Sequence, residues 1–337
     1  MKRLVRYTLA NCVAAASLAG CGGAQPLISA PAATTQTSAF ASDAARAKSW
    51  MLPEAKREDL LYAGASAGSA HDIYIFSYPK GKLVGTINEP SAEYLQGFCS
   101  NGKGDIFVTT LSNDYYGGAI YEYAHGATQP SETLYEPGVW PWGCGVDATT
   151  GNLAVASINL ESLASWVEVY QKAKGQPQDY YDEQIINYTF CSYDDKGNLF
   201  VDGTGSGSNV EFGELPKGGS SLMNVNLSKD INCCGQVQWD GHHITIDDEQ
   251  AGAIYRLKVS GSTGTIVGTT RLKQWAGGDT QSWIQNNMVI QPDGNGATEI
   301  GVWRYPQGGN PTTSITVPAA VFGVTVSPAH RAPTAPR

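Results

Sequence analysis

Ile73-Tyr-Ile-Phe-Ser-Tyr-Pro-Lys-Gly81 is an alternating run of aromatic, aliphatic and polar residues that ends in a glycine turn. Such alternation is typical of a β-strand with one buried face. The pattern returns five more times, and its closing glycines are 45, 49, 43, 43 and 47 residues apart, which is the period of a four-stranded propeller blade. The other copies are Ile120-Tyr-Glu-Tyr-Ala-His-Gly126, Trp166-Val-Glu-Val-Tyr-Gln-Lys-Ala-Lys-Gly175, Val210-Glu-Phe-Gly-Glu-Leu-Pro-Lys-Gly218, Ile254-Tyr-Arg-Leu-Lys-Val-Ser-Gly261 and Ile300-Gly-Val-Trp-Arg-Tyr-Pro-Gln-Gly308.

A second repeated element precedes most of these copies. Gly104-Asp-Ile-Phe-Val108, Gly151-Asn-Leu-Ala-Val155 and Gly197-Asn-Leu-Phe-Val201 each lie between two apolar runs, and Asp240-Gly241 takes the same place in the next repeat. Glycine beside Asp or Asn supplies the positive φ that a tight hairpin needs. We therefore expect a hairpin turn between the first two strands of a blade.

The two ends of the repeat region complete each other. Phe322-Gly-Val-Thr-Val-Ser327 has the pattern of an innermost strand with no later strands to pair with, and Leu60-Leu-Tyr-Ala-Gly64 that of a second strand without a first. Pairing the two would remove the free edges of an open array. The sequence thus predicts an all-β, six-bladed β-propeller of four-stranded blades over residues 59–328, closed where the C-terminal strand joins the N-terminal blade.

The N-terminus has the layout of an export signal, predicted over residues 1–20. Three basic residues precede an apolar stretch at positions 9–18 that is too short to span a bilayer as a permanent helix. Residues 21–58 begin with a segment rich in Ala, Ser, Thr, Pro and Gln, which buries too little surface to order itself, so we expect a flexible tether. We expect residues 329–337 to form a disordered tail.

The signal ends in Leu18-Ala19-Gly20-Cys21, which resembles the lipobox of bacterial lipoproteins. The resemblance implies cleavage before Cys21 and acylation of that cysteine, with palmitate among the acyl chains, so that the chain is anchored to a membrane of the bacterial envelope. More than one chain is needed because a single acyl chain binds a membrane only marginally. Gly22 stands where Asp would favour inner-membrane retention, so the outer membrane or its periplasmic face is favoured. An ordinary signal peptide with a chance cysteine is the alternative.

The charge of the chain limits its partners. The 337 residues carry a formal net charge of −9, and removal of the three basic residues of the signal leaves 19 basic against 31 acidic residues, a net charge of −12. Nucleic-acid binding requires a basic face, so we expect no nucleic-acid partner. The acidic balance fits cation binding or solubility better.

The repeat assigns different roles to the two sides of the ring. The glycine turns that join strands one and two, and strands three and four, share one side, which we call the scaffold face. The opposite side, the variable face, carries the connections between strands two and three and between blades, which differ in every repeat. Function tends to reside in such variable loops, so we expect the ligand there. The loops between strands two and three are residues 111–116, 157–165, 203–209, 247–249 and 291–297.

Four acidic residues are candidates for a metal site at the mouth of the central channel: Asp202, Asp247, Asp248 and Glu249. Carboxylate oxygens suit Ca²⁺, which takes six to eight oxygen ligands. The alternative is a solvated acidic loop, and this interpretation is favoured over a Ca²⁺ cofactor.

Four aromatic residues are candidates for ligand binding: Tyr115, Tyr116, Trp140 and Trp142. They are expected near the channel mouth, where their rings could stack on a sugar or an aromatic ligand. The alternative is that they cover the edges of blades.

Five cysteines remain after Cys12 leaves with the signal and Cys21 takes the lipid: Cys99, Cys144, Cys191, Cys233 and Cys234. Four of them are expected at equivalent positions of the innermost strands of four consecutive blades. Outside the cytoplasm, disulfides between neighbouring blades are expected wherever the Cα atoms approach within about 7 Å. The odd number leaves one thiol over, and the two adjacent cysteines could also pair with each other. A thiolate metal ring and a redox pair are the alternatives.

Gly143-Cys-Gly-Val-Asp147, followed by Gly151-Asn-Leu-Ala-Val155, is similar to the strand–turn–strand signature of six-bladed NHL and SMP-30/gluconolactonase-like propellers. The resemblance covers residues 59–328 and implies fold more than activity. The acidic and amide metal ligands of the SMP-30 enzymes have no residue-by-residue match, and the Asn-x-Arg-Ile of NHL repeats is missing.

The sequence contains no convincing catalytic set. Gly64-Ala-Ser-Ala-Gly68 matches the G-x-S-x-G pattern of serine hydrolases, but that mechanism needs a strand–turn–helix elbow, and a β-strand follows here. A membrane-anchored, extracytoplasmic module that binds a protein or glycan ligand is therefore favoured over catalysis. A metal-dependent lactonase or hydrolase of the SMP-30 kind and a structural envelope protein are the alternatives.

Overall fold

Six sheets arranged in a ring make up the described part of the chain. The computed structural model describes residues 48–67, 70–88, 92–112, 116–232, 234–248, 250–275, 281–293 and 297–329. Four sheets have four strands and two have five, and helical structure within these ranges is limited to the 3₁₀ segments Pro53–Arg57 and Gln171–Ala173. The predicted all-β, six-bladed propeller is confirmed.

The blades are numbered along the chain, beginning with the one that holds both ends of the repeat region. Blade 1 contains β1 (Trp50–Met51), β2 (Asp59–Ala67), β3 (Ala70–Tyr78) and β4 (Lys82–Asn88); blade 2 contains β5 (Ala92–Ser100), β6 (Ile106–Ser112), β7 (Gly117–Tyr123) and β8 (Glu132–Pro137); blade 3 contains β9 (Val139–Val146), β10 (Leu153–Asn159), β11 (Ser165–Tyr170) and β12 (Gln178–Tyr180). Blade 4 contains β13 (Asn187–Tyr193), β14 (Leu199–Thr204), β15 (Val210–Leu215) and β16 (Met223–Asn224); blade 5 contains β17 (Asn226–Leu227), β18 (Val237–Trp239), β19 (Ile244–Asp248), β20 (Ala253–Ser260) and β21 (Thr263–Arg271); blade 6 contains β22 (Trp283–Gln285), β23 (Met288–Pro292), β24 (Glu299–Arg304) and β25 (Thr313–Thr316); and β26 (Ala320–Ser327) returns to blade 1.

Blade 1 is built from both ends of the chain, as predicted. Strand β26 is its innermost strand and pairs antiparallel with β2, from Leu60 opposite Ser327 to Gly64 opposite Gly323. The valines of β26 join one apolar cluster with Leu61, Ala63 and residues of blade 6. Ring closure therefore rests on backbone hydrogen bonds and on a continuous buried contact.

The segment before β2 packs on blade 1. Strand β1 pairs with β4 as a fifth strand, and Ala55 in the following 3₁₀ segment is buried. Met51 and Leu52 pack against a second apolar cluster, which holds Ala55, Leu60 and Tyr62 and explains why a stretch assigned to the tether from its position contacts the propeller. The predicted signal at residues 1–20, the tether up to residue 47 and the tail from residue 330 lie outside the described residues. No helix within the described ranges is long and apolar enough to cross a membrane.

The scaffold face consists of the glycine turns that the repeat predicts. Gly104, Gly151, Gly197 and Gly241 have φ between 77° and 98°, and the six glycines that close the repeated runs also have positive φ. The Asp194 carboxylate accepts hydrogen bonds from the backbone N–H groups of Lys196 and Asn198 at 2.9 Å. The Asp194 side chain therefore stabilises this hairpin turn, in agreement with the turn predicted from the repeat.

A disulfide joins blades 2 and 3. Cys99 and Cys144 are bonded, with their Cα atoms 5.7 Å apart, as expected for two of the candidate cysteines. Cys191 differs from the prediction because it is a free, buried thiol. Cys234 is also disulfide-bonded, with a partner outside the described residues, and Cys233 lies outside them.

The strand register explains the difference between the cysteines. Cys144 lies opposite Val155 and Cys191 opposite Val201, which are the same repeat position, but Cys99 lies opposite Phe107, one residue earlier. Because side chains alternate between the two faces of a sheet, Cys99 points toward blade 3 whereas Cys144 points back toward blade 2. The position in blade 3 that corresponds to Cys99 is Gly145, so Cys191 meets no thiol there.

Two glutamine side chains join innermost strands that do not pair directly. The Gln238 side chain of blade 5 binds both the N–H and the C=O of Ile284 in blade 6, at 2.7 and 2.8 Å. The Gln281 side chain of blade 6 binds the N–H and C=O of Phe98 in blade 2, crossing the inner strand of blade 1 beside Gly323. A Cβ atom at Gly323 would lie 2.9 Å from both partners, so only glycine leaves room for this link.

Candidate functional site

A cavity of about 300 Å³ lies at the mouth of the central channel, on the variable face. Residues of all six blades line it, mostly from the innermost strands, with two contributions from the loops between strands two and three. The lining side chains are aromatic (Trp142, Phe190, Phe322), amide (Gln96, Gln250, Gln281) and hydroxyl (Thr189, Thr204, Ser208), together with Cys234.

Among the residues that the structure describes, those that line the cavity carry no charged side chain, although the chain contains 31 acidic and 22 basic residues. A cleft lined by one sign of charge would concentrate ions of the opposite sign. An uncharged lining with a few polar groups among aromatic rings instead suits a neutral, polar ligand.

Part of the polar lining is engaged in holding the fold. The Thr189 hydroxyl donates to Asp202 at 2.7 Å, Thr204 accepts from the Asn187 side chain at 3.0 Å, and Gln281 binds Phe98. The side chains of Gln96, Ser208 and Gln250 form no hydrogen bond with another described residue. These three groups are therefore available to a ligand.

Aromatic rings continue from the cavity to the rim. The Trp142 ring lies 4.6 Å from that of Trp140, whose centroid is 6.1 Å from that of Tyr94. The structure thus brings the two candidate tryptophans together, with Trp142 in the cavity wall. Tyr116 is 81 % exposed in its loop, and Tyr115 lies outside the described residues.

Tyr94 was not among the sequence candidates. It lies opposite Leu111 in blade 2, as Trp140 lies opposite Ile158 in blade 3, so the two rings occupy corresponding positions in neighbouring blades. Tyr94 lies at a similar distance before the hairpin glycine of its blade as Trp140 does, and this spacing could have identified Tyr94 from the sequence.

The loop of blade 3 adds an exposed apolar residue to the variable face. Leu163 is 68 % exposed and has a φ of 59°, a conformation that non-glycine residues seldom adopt. The Asn159 side chain holds this loop by accepting hydrogen bonds from the N–H groups of Glu161 and Ser162. Local strain at an exposed apolar residue is typical of recognition loops.

Asp202, a metal-ligand candidate, is fully buried in β14. One carboxylate oxygen accepts hydrogen bonds from the Thr189 hydroxyl and from the Phe190 N–H, at 2.7 and 2.8 Å. Thr109 has the same role in blade 2, where its hydroxyl accepts from the Gly97 N–H at 2.8 Å. Both side chains fill the irregularity between the first two strands, and burial raises the pKa of Asp202 to about 7.

Asp247 is the corresponding residue of blade 5 and packs against blade 6. Gln291 donates to one of its oxygens at 3.1 Å, the other oxygen has no hydrogen-bond partner among the described residues, and burial raises the pKa of Asp247 to about 7. Asp248 accepts hydrogen bonds from the Asn232 side chain and from the Ala251 N–H, and Glu249 lies outside the described residues. Within the described ranges, no group of three or more His, Cys, Asp or Glu residues is placed to hold a metal ion.

A further acidic pair, missed from the sequence, lies between blades 2 and 3. Glu168 accepts hydrogen bonds from Ser157 and Trp166 at 2.8 and 3.0 Å, and Tyr170 donates to the neighbouring Glu136. Burial, reinforced by the charge of Glu136, raises the pKa of Glu168 to about 8. Glu168 could have been identified from the sequence, because it lies between Trp166 and Tyr170 on one face of an alternating strand.

Gly64 to Ser66 lie within β2, which continues to Ala67. The G-x-S-x-G match therefore begins in an extended strand, and this arrangement differs from the turn of a nucleophile elbow.

Solved structures share this fold, although no family model and no curated protein matches the chain. A chain from a nidogen/laminin complex superposes with a TM-score of 0.59 at 12 % identity, covering 81 % of this chain and 99 % of that one. A Bacteroides caccae protein of unknown function gives 0.55 at 13 % identity, covering 80 % and 99 %. TolB from Acinetobacter baumannii gives 0.58 at 12 % identity, covering 80 % and 67 %. The similarity establishes the fold alone.

Proposed function

We propose that this chain is an extracytoplasmic lipoprotein, anchored through Cys21, whose propeller binds a ligand on the variable face. The lipobox-like Leu18-Ala19-Gly20-Cys21 and the preceding signal support the anchor, and the Cys99–Cys144 disulfide supports an oxidising compartment. Among the structural neighbours, the nidogen chain was solved in a complex with laminin, which fits the use of such a scaffold for binding.

The cavity at the channel mouth is the observation that carries the binding proposal. All six blades contribute to it, and three of its polar side chains, Gln96, Ser208 and Gln250, are not engaged with other described residues. The metal-dependent lactonase alternative gains less support, because Asp202 and Asp248 already accept hydrogen bonds from their own blades.

The anchor is tested by growing cells with labelled palmitate. The unchanged chain and a Cys12→Ser control should incorporate the label and fractionate with membranes, because Cys12 lies within the predicted signal. Cys21→Ser should incorporate no label and leave the membrane fraction. Label that persists in Cys21→Ser would contradict the anchor.

The binding face is tested with a thermal-shift screen of oligosaccharides and peptides. Ser208→Trp fills the mouth, whereas Gln129→Trp places the same bulk in an exposed scaffold-face turn between β7 and β8. A ligand should raise the Tm of the unchanged chain and of Gln129→Trp but not of Ser208→Trp. The opposite pattern would place the site on the scaffold face.

A further inference from the structure

We infer that the cavity at the channel mouth binds a neutral saccharide, with Trp142, Trp140 and Tyr94 providing stacking surfaces for successive sugar rings. This inference rests on the proposed function, since it names the ligand class of the same site. Three independent features of the described residues carry it: the charge of the lining, its hydrogen-bonding groups and the row of aromatic rings.

The charge of the lining excludes most other classes of small ligand. Phosphorylated and carboxylated compounds are bound through Arg, Lys or backbone N–H groups at helix ends, and cationic ligands through carboxylates or aromatic cages. None of the ten described lining residues is charged, and one oxygen of the buried Asp202 carboxylate accepts hydrogen bonds from two of them, from the Thr189 hydroxyl and the Phe190 N–H. The described lining therefore favours a ligand that carries its polarity without net charge.

The available hydrogen-bonding groups match sugar hydroxyls. Gln96 and Gln250 each present one acceptor oxygen and an N–H₂ group with two donors, and Ser208 presents a hydroxyl that both donates and accepts. A sugar hydroxyl also donates and accepts, so each of these side chains can form two bonds with neighbouring hydroxyls. Gln96 projects from the innermost strand of blade 2, whereas the other two lie on loops of blades 4 and 5, so the groups surround the mouth from different sides.

The aromatic row gives the ligand a direction. A pyranose ring has an apolar C–H face, which packs on indole and phenol rings, while its hydroxyls point outward from the edge. The ring centroids lie 4.6 Å apart for Trp142 and Trp140, with the planes tilted by 50°, and 6.1 Å apart for Trp140 and Tyr94, tilted by 31°, so a row of inclined rings leads from the cavity to a partly exposed rim residue. The three rings together extend over more than one sugar ring. They therefore suit an oligosaccharide whose terminal unit lies in the cavity.

Calorimetric titration of the full mature chain tests the ligand class. The probes are neutral oligosaccharides of glucose, xylose, mannose, galactose and N-acetylglucosamine, set against oligogalacturonate and sulfated oligosaccharides. At least one neutral probe should bind and change the tryptophan fluorescence. Gln250→Ala and Ser208→Ala should each weaken binding about threefold to tenfold, which is the value of one hydrogen bond.

Matched variants separate binding from folding. The side chains of Gln250 and Ser208 are exposed, so Gln250→Ala and Ser208→Ala should unfold at the temperature of the unchanged chain. Gln129→Ala, a truncation of the same amide on the scaffold face, should leave affinity unchanged. Trp142→Phe keeps a ring in the wall and should reduce both affinity and the fluorescence change.

The possible results fall into two groups. A neutral probe whose binding is weakened by Gln250→Ala supports the inference. Binding of charged probes only, or of no oligosaccharide, overturns the saccharide class. In that case, a peptide whose binding is lost in Ser208→Trp still supports the proposed binding face. A ligand whose binding is insensitive to that substitution contradicts both the binding face and the saccharide class.

Discussion

Two neighbouring blade interfaces, between blades 2 and 3 and between blades 3 and 4, place the same strand positions against each other but fill them differently. In the first interface, Cys99 is bonded to Cys144, and Glu168 is buried near Glu136. In the second, Gly145 faces Cys191, and Gly213 occupies the position that corresponds to Glu168. The two interfaces share a strand register, and the residues at these positions together with the closeness of the strands decide whether an interface is crosslinked, acidic or simply apolar.

Among changes at these two interfaces, loss of the disulfide is expected to have the largest effect on the stability of the fold. Cys99→Ser or Cys144→Ser should lower the free energy of unfolding by about 2–5 kcal/mol, because the bridge closes a long loop in the unfolded chain. The double variant should lose no more than either single variant, since each removes the same bond. Urea unfolding measures all three, and additive losses would show that the cysteines act independently.

The buried Glu168 should make stability depend on pH. Its pKa is 4.5 in a free side chain and about 8 in the fold, so between these values the folded chain binds more protons than the unfolded chain. Stability should therefore fall as pH rises through this window, by on the order of a few kcal/mol, and level off above it.

Glu168→Gln should reduce this dependence without abolishing it, because Asp202 and Asp247 are also buried with pKa values raised to about 7, whereas exposed Glu161→Gln should leave the dependence unchanged. Urea midpoints at about pH 5 and about pH 9 give the comparison. Equal slopes for Glu168→Gln and the unchanged chain would contradict the assignment.

A cysteine placed opposite Cys191 tests whether register alone prevents a second bridge. A Cβ atom at Gly145 would lie 2.8 Å from the Cys191 carbonyl oxygen. Gly145→Cys should therefore destabilise by roughly 1–3 kcal/mol and form no disulfide. Peptide mapping without reduction decides this, and a 145–191 crosslink would show that the interface opens readily.

Changes at the free thiol of Cys191 should have the smallest effect on stability. Burial, reinforced by Asp202, raises the pKa of Cys191, so it should resist alkylation in the folded chain and react only after unfolding. Cys191→Ala should cost about 1 kcal/mol because one buried sulfur is removed. Rapid labelling under native conditions, measured by mass spectrometry, would contradict this.

The fold was predictable because the turns are local. A glycine beside Asp or Asn fixes a hairpin wherever it stands, so Gly104, Gly151 and Gly197 mark the blades without knowledge of tertiary contacts. The pairing of β2 with β26 could be predicted from the number of strands, because a ring that is not closed would expose two strand edges.

The pairing of the cysteines depends on their distance from the hairpin turn. Cys99 lies one residue before the last paired residue of β5, Ser100, whereas Cys191 lies two residues before the last paired residue of β13, Tyr193. A shift of one residue turns a side chain to the other face of the sheet. The repeat spacing of 45 to 47 residues between the cysteines hides this one-residue difference, so Cys99 and Cys191 face different neighbours.

The candidate site was only partly predictable for a related reason. Trp140 and Trp142 were found from their place at the entry to a blade, and the structure brings them together at the mouth. Asp202 and Asp247 are one repeat apart, so they occupy corresponding positions in neighbouring blades, where Asp202 accepts hydrogen bonds from its own blade and Asp247 from Gln291 of blade 6.

The most direct test is a crystal structure of the mature chain soaked with the tightest-binding neutral oligosaccharide. The account predicts a sugar ring against Trp142, with hydroxyls bonded to Gln96, Ser208 or Gln250 and the next unit over Trp140. A ligand bound at the scaffold face or on the outer strands would contradict it.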